Sequence, residues 1–215
     1  GIIYKGNGLI DSVRLPDIYE ALGINSRQEL SLANKIMQKR INEELMKKGV
    51  TIVDPDSTLI SYGTKIGQDT TIYPFTVIER DVKIGRNCSV GPFTHLREST
   101  SLEDEAKVGN FSEIVRSRLA SGARAKHFGY IGDARIGRLV NIGAGTVTAN
   151  YDGKKKNITV IKDKAFIGSD TILVAPVKIG KHARTGAGSV VVKNQNVADG
   201  ETVVGVPAKP LKHKR

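Results

Sequence analysis

An all-β architecture, a parallel β-helix of hexapeptides preceded by a short α-helical segment, is what this sequence predicts, and three observations predict it. Stepping by six from Ile60 meets Ile60, Ile66, Ile72, Ile78, Ile84, Val90, Leu96, Leu102, Val108 and Ile114 without one polar residue. Chance does not hold that register in a chain that is 39% hydrophobic. Gly follows the apolar position repeatedly, as in Ile66-Gly67, Ile84-Gly85, Val90-Gly91, Val108-Gly109, Ile142-Gly143 and Ile167-Gly168. Aromatic residues make up only 5% of the 215, with no Trp, against 23 Gly, so bulky core packing does not organise the chain. An apolar residue followed by Gly at a period of six gives one short strand and one corner per unit, and three units close a triangular coil of about 18 residues. A sandwich needs alternating strands joined by hairpins, and a helical solenoid needs spacings of three and four; neither matches the six-step register.

Residues 1–57 lie outside the repeat and read as a helical, linker-like segment. Residues 16–22 form a short helix, with Pro16 in its first turn and Gly23 beyond its end. Ser26-Arg27-Gln28-Glu29 is a capping box that opens a longer helix, with Leu30, Ala33, Met37, Ile41 and Leu45 on one face and Gly49 at its stop. Residues 58–207 form the β-helix. Its β-branched Ile and Val suit a pleated wall stacked at about 4.8 Å per coil, giving about eight coils and about 40 Å of prism. The register slips by one at Leu119 and again between Ile131 and Ile136, breaks at residues 149–160, and resumes from Ile161 through Leu173 to Val203. Gly, Asn and Asp near the corners tolerate the positive φ of a tight turn. Residues 208–215, Ala-Lys-Pro-Leu-Lys-His-Lys-Arg, form a basic tail expected to be disordered.

The chemistry is bounded by what the chain lacks. The single Cys88 excludes an intrachain disulfide framework, the first eight residues lack a signal-peptide pattern, and no apolar run approaches the roughly 20 residues that span a bilayer, so the chain reads as cytoplasmic. There is neither a P-loop nor a Rossmann glycine pattern, and His95, His127, His182 and His213 lack metal-ligand spacing, so no metal is expected. The 33 Lys and Arg exceed the 22 Asp and Glu by 11. With so few aromatics that charge suits anionic small molecules better than nucleic acid. Departures from the repeat are more informative. Residues 148–157, with Asn150, Tyr151 and three Lys, are too polar for the prism and too long for a corner, so they bulge outward: a tolerated insertion, or a contact with a neighbouring prism or an anion. His127 and Tyr130 stand in a coil of small residues. His127 is either structural or a neutral imidazole able to take a proton from an attacking amine.

The runs Val90 to Arg97, Val108 to Phe111, His127 to Asp133, Val140 to Thr146, Asn150-Tyr151-Asp152-Gly153, Gly168 to Thr171 and Val174 to Val177 together carry a resemblance. In order and spacing, over residues 90–194, the chain resembles the acetyltransferase half of the bacterial bifunctional N-acetylglucosamine-1-phosphate uridylyltransferase / glucosamine-1-phosphate acetyltransferase. The resemblance implies a homotrimer of left-handed parallel β-helices with each site between neighbours, and direct acetyl transfer from acetyl-CoA to the amine of glucosamine 1-phosphate. It implies His127 as general base, with Arg97, Tyr130, Asn141 and Lys156 on the sugar phosphate. Ala144, Asn150, Tyr151, Ser169 and Ala187 are implied on acetyl-CoA, the Ala144 N–H facing the developing oxyanion. Three positions depart. Val115 stands where the family has a phosphate-gripping Lys, and strand alternation turns the neighbouring Arg116 to the opposite face. Lys126 replaces a frequent Gly, and an Arg near the C-terminus is replaced around Gly205, with Lys209 nearby. No Gly-rich nucleotide loop precedes the repeat, so uridylyl transfer is not expected. A different amino acceptor, or a non-catalytic trimeric scaffold, are the alternative readings.

Overall fold

The computed structural model describes residues 12–211, which fall in two compact units divided between residues 37 and 38. In the first, Asp17 caps a 3₁₀ turn, Ile18–Ala21, by accepting the Tyr19 N–H at 2.9 Å. The capping box forms as expected: Glu29 accepts the Ser26 N–H at 2.7 Å while the Ser26 hydroxyl accepts the Glu29 N–H at 3.2 Å. Helix α1, Arg27–Lys47, follows and crosses into the second unit. Its expected apolar stripe is buried only at the C-terminal end. Leu30 and Met37 are 45% and 42% exposed, whereas Leu45 joins the core. Buried Asn42 donates to the carbonyls of Pro55 and Thr58 at 2.9 and 3.2 Å, and Gln38 accepts the Ile60 N–H at 3.2 Å, so polar side chains of α1 satisfy the backbone where the coils begin.

The second unit is a left-handed parallel β-helix of about eight coils with three walls. The first wall starts at Thr51–Ile52 and continues through Thr71–Ile72, Ser89–Val90, Lys107–Val108, Arg124–Ala125, Asn141–Ile142 and Phe166–Ile167. The second runs from Leu59–Ile60 through His95–Leu96, Ser112–Val115, Gly129–Gly132 and Val147–Ala149. The third includes Lys65–Ile66, Ser101–Leu102, Arg118–Leu119, Ala134–Ile136 and Thr159–Ile161. The six-step residues point inward and are buried, from Ile60, Ile72 and Ile78 to Leu173 and Val203. Partners on the first wall lie 18 residues apart at Val90 and Val108, 17 at Val108 and Ala125, 17 at Ala125 and Ile142, and 25 at Ile142 and Ile167. The two slips are thus two shortened coils. The one long coil holds the polar insertion.

The Gly of the motif is required by close approach between coils. A Cβ on Gly109 would sit 1.8 Å from the Lys126 carbonyl oxygen, and one on Gly143 would sit 2.5 Å from the Ser169 nitrogen. Beside several such Gly, a carboxylate from the following coil caps a turn amide: Asp104 accepts the Arg86 N–H and Asp163 the Arg138 N–H, both at 2.8 Å. Corners enter the left-handed region at Asp69 and Asn87, as expected, and also at Phe75, Phe93, Phe111 and Leu139. For the three Phe the conformational cost, roughly 1–2 kcal/mol each, is offset by stacking at centroid distances of 4.8 and 5.2 Å. At the C-terminal end the tail is not wholly disordered. Ala208 is buried, and Lys209–Pro210 pairs antiparallel with Thr202–Val204; residues 212–215 lie outside the described part. No helix among the described residues is long and apolar enough to cross a membrane.

Candidate active site

The edge between the first and second walls carries four of the residues singled out by the sequence. Backbone hydrogen bonds stack this edge coil on coil: Phe111 N–H to Phe93 O, Gly129 N–H to Phe111 O, Gly145 N–H to Phe128 O, Asp170 N–H to Ala144 O and Gly188 N–H to Ser169 O, at 2.6 to 3.3 Å. His127, Ala144, Ser169 and Ala187 therefore stand on successive coils, about 5 Å apart along the axis. The edge changes character at His127. Before it lie the stacked rings of Phe75, Phe93 and Phe111; beside it stands the exposed Phe128, and on the following coils come Ala144-Gly145, Ser169-Asp170 and Ala187-Gly188. His127 is exposed, its carbonyl accepts the Ser112 hydroxyl at 2.8 Å, and its ring meets no hydrogen-bond partner among the described residues.

Arg97 and Tyr130 belong to the second wall. Its outward row pairs Val77, His95, Glu113, Tyr130, Val147 and Ile172 in register. Polar groups are confined to the middle of that row. His95 Nε2 lies 2.8 Å from Glu79 Oε1, and Arg97 donates to Glu113 at 2.8 Å. The Arg97 Nε is buried and has no partner. The Glu113 carboxylate raises the Arg97 pKa further, so the guanidinium is permanently charged.

Where the second wall turns toward the third, Asp133 collects a network that the sequence did not single out. Arg116 donates to it twice, at 2.7 Å to Oδ1 and 2.8 Å to Oδ2, Asn150 donates to the same Oδ2, and the Asn150 amide also lies 3.5 Å from the Tyr130 hydroxyl. The hydrogen bonds from Arg116 hold the Asp133 carboxyl below its usual range against the opposing effect of burial, with Asn150 and the charge of Lys156 acting the same way as Arg116. Strand alternation placed Arg116 on the face opposite Val115, and Arg116 is half-exposed where Val115 is buried; its φ of 45° ends the extended backbone, and its guanidinium reaches Asp133. Val115 is fully buried. Asn150, implied on acetyl-CoA, is buried with its amide held by Asp133 and Tyr130.

The insertion is a constrained loop. Asp152 accepts the N–H groups of Lys154 and Lys155 at 3.1 and 2.9 Å, the Asn157 amide at 2.9 Å and the Lys193 ammonium at 3.3 Å, and these bonds hold its carboxyl far below the ordinary range. Tyr151 bridges to Lys156, and both side chains are exposed. Asn141 sits elsewhere, half-buried and outward on the first wall between Arg124 and Phe166. The expected residues therefore fall on two walls, the edge between them, and the insertion loop that carries Tyr151 and Lys156. Arg97, Tyr130 and Asn150 share the second wall, which faces a different direction from the Asn141 face.

The bacterial transferase hexapeptide (six repeats) family matches residues 63–98 and 158–193. "Bifunctional protein GlmU" of Thermosipho africanus is 47% identical over an alignment covering 89% of this chain and 50% of the relative. "Bifunctional protein GlmU" of Thermotoga maritima is 45% identical, covering 85% of this chain and 48% of the relative. The aligned part is the C-terminal half, so the chain spans about half the length of the curated relatives it matches. Among solved structures, the crystal structure of UDP-N-acetylglucosamine O-acyltransferase from Moraxella catarrhalis aligns with a TM-score of 0.47 at 15% identity, covering 75% of this chain and 72% of that one.

Proposed function

Since the chain corresponds to the C-terminal half of the bifunctional GlmU proteins, we propose that it is an acetyl-CoA-dependent N-acetyltransferase whose acceptor is an amino-sugar phosphate, glucosamine 1-phosphate. The site is a cleft between copies of a homotrimer. The single observation that carries this reading is the stacking of Ala144, Ser169 and Ala187 on successive coils beyond the exposed His127 along one edge. An extended, narrow thioester arm runs along the line of Ala144, Ser169 and Ala187, with its reactive carbon beside the imidazole. The split of Arg97 and Tyr130 from Asn141 supports the trimer, because one chain's diverging walls cannot close on one ligand and a neighbour's wall can.

In this reading the acceptor nitrogen attacks the thioester carbonyl while the neutral His127 imidazole takes its proton. The tetrahedral oxyanion is met by the Ala144 N–H. Collapse expels the coenzyme A thiolate, which recovers the proton, leaving an acetamide and free thiol. Arg97 and Lys156 supply the charge for the sugar phosphate, and Tyr151 and Ser169 flank the coenzyme. His127→Ala is expected to lower kcat by about 10²- to 10⁴-fold while the assembly stays intact, read as thiol release from acetyl-CoA with glucosamine 1-phosphate. Full turnover in that variant would remove the imidazole from the mechanism. Buried Val115, with Arg116 held by Asp133, favours one second reading, an amine acceptor without phosphate. A panel of phosphorylated and unphosphorylated amines separates the two.

A further inference from the structure

The third wall carries a feature that acetyl transfer does not use. Its outward row runs Lys65, Lys83, Ser101, Arg118, Arg135, Val160 and Lys178, each in register with the next. Two clefts open along this row and share Glu103. One, of about 420 Å³, is lined by Lys65, Lys83, Leu102 and Asp104; the other, of about 600 Å³, by Arg118, Arg135, Arg138 and Val160. Like charges directly opposite on paired strands are destabilising, yet Lys65 faces Lys83 and Arg118 faces Arg135.

The carboxylates beside this row are hydrogen-bonded in place and offset only part of its charge. Glu103 is taken by Arg118 and by Ser121, at 2.7 and 3.1 Å, while Asp104, Asp163 and Asp199 cap the N–H groups of Arg86, Arg138 and Lys181. The side chains of Lys65, Lys83, Arg135 and Arg138 have no polar partner among the described residues, and all four residues are exposed. The result is a groove parallel to the coil axis, with an aliphatic floor and an excess of cations at Arg118, Arg135 and Arg138 against Glu103.

We propose that this groove docks an extended acidic polypeptide segment. Charge complementarity sets the sign, and guanidinium forks suit carboxylates. Length sets the form: Lys65 to Lys178 is six coil steps, about 29 Å at 4.8 Å each, and an extended peptide of ten residues covers about 33 Å. The backbone of the wall is hydrogen-bonded coil to coil, so no strand edge is free and side chains do the reading. Nucleic acid fits less well, because the row holds no aromatic platform for stacking bases. The proposal does not rest on the acetyl-transfer reading, and it survives if that reading fails.

The test is fluorescence anisotropy of the whole chain with a labelled peptide of alternating Glu and Ser, in about 0.1 M salt, where the Debye length is about 10 Å. Saturable binding of one peptide per chain is expected, weakened about tenfold or more in Arg135→Ser/Arg138→Ser. A control, Lys107→Ser/Arg184→Ser, removes the same charge from the first wall and is expected to bind as the parent does. Thermal melts monitored by circular dichroism check that both variants are folded. Three results overturn the proposal: no saturable binding, equal weakening in the control, or displacement of the peptide by a random single-stranded oligonucleotide that binds more tightly.

Discussion

Asp133 accepts two hydrogen bonds from Arg116 and one from Asn150, and Asn150 in turn reaches the Tyr130 hydroxyl. Because the folded carboxyl titrates below its unfolded value, the stability it contributes is complete above the unfolded pKa of about 3.9. That stability is lost as pH falls through the folded value. Asp133→Asn is expected to cost about 1–3 kcal/mol at neutral pH and to shrink the stability difference between neutral and acid solution, measured by urea melts at each. An undiminished difference would show that the Arg116 pair stabilises nothing. Gly132 lies against the same network, and a Cβ there would sit 2.6 Å from both the Tyr130 hydroxyl and the Asn150 amide nitrogen. Gly132→Ala is therefore expected to raise the acceptor KM more than the acetyl-CoA KM, checked by varying each substrate in turn. Equal changes in both would argue for a general loosening of the fold. None of this was legible from residue spacing. Alternation assumes continuously extended backbone, and at Arg116 the backbone is left-handed.

The strand-and-corner unit was the most legible feature, because the chemistry that selects its residues is local. Inward positions are chosen by burial, and the following Gly by a neighbouring coil that leaves no room for a methyl group. Leu173→Ala, at a fully buried position, is expected to cost about 2–5 kcal/mol. Gly109→Ala, whose Cβ would meet a carbonyl rather than a flexible side chain, is expected at the upper end of about 1–3 kcal/mol. Denaturant midpoints compare the two. A Gly109→Ala protein as stable as the parent would mean that the stack can open locally. Helix α1 was less legible. Its three-and-four spacing is real, but the period tells which residues share a face and not whether anything covers that face, so Leu30 and Met37 stay exposed. The Phe corners were missed for a related reason. Positive φ in a bulky residue is unfavourable alone and becomes acceptable only when the ring finds partners a coil away.

Across the whole second unit, the outward surfaces differ by wall. The second wall is apolar at its ends, with Leu59, Val77, Val147, Ile172 and Val190, and polar in the middle, where His95, Arg97, Glu113 and Tyr130 sit. The third wall is cationic. Assembly through the second wall would bury those aliphatic side chains and set a neighbour beside His127. Light scattering is expected to give a trimer mass, and Val147→Asp with Ile172→Asp is expected to give monomers that have lost thiol release. Monomers with full turnover would place the whole site on one chain. The likeness of motifs could name candidate residues but not their convergence, because that depends on which wall each reaches, and wall assignment shifts with every shortened coil.

The short strand Lys209–Pro210 lies antiparallel on the last parallel strand of the first wall, and Gln195 fastens it by donating to the Ala208 carbonyl at 2.8 Å. A solenoid that stopped one strand sooner would offer a bare row of amides and carbonyls, the template on which cross-β growth begins. Deleting everything after Gly205 should therefore turn a discrete particle into one that joins tip to tip, visible as filaments in the electron microscope.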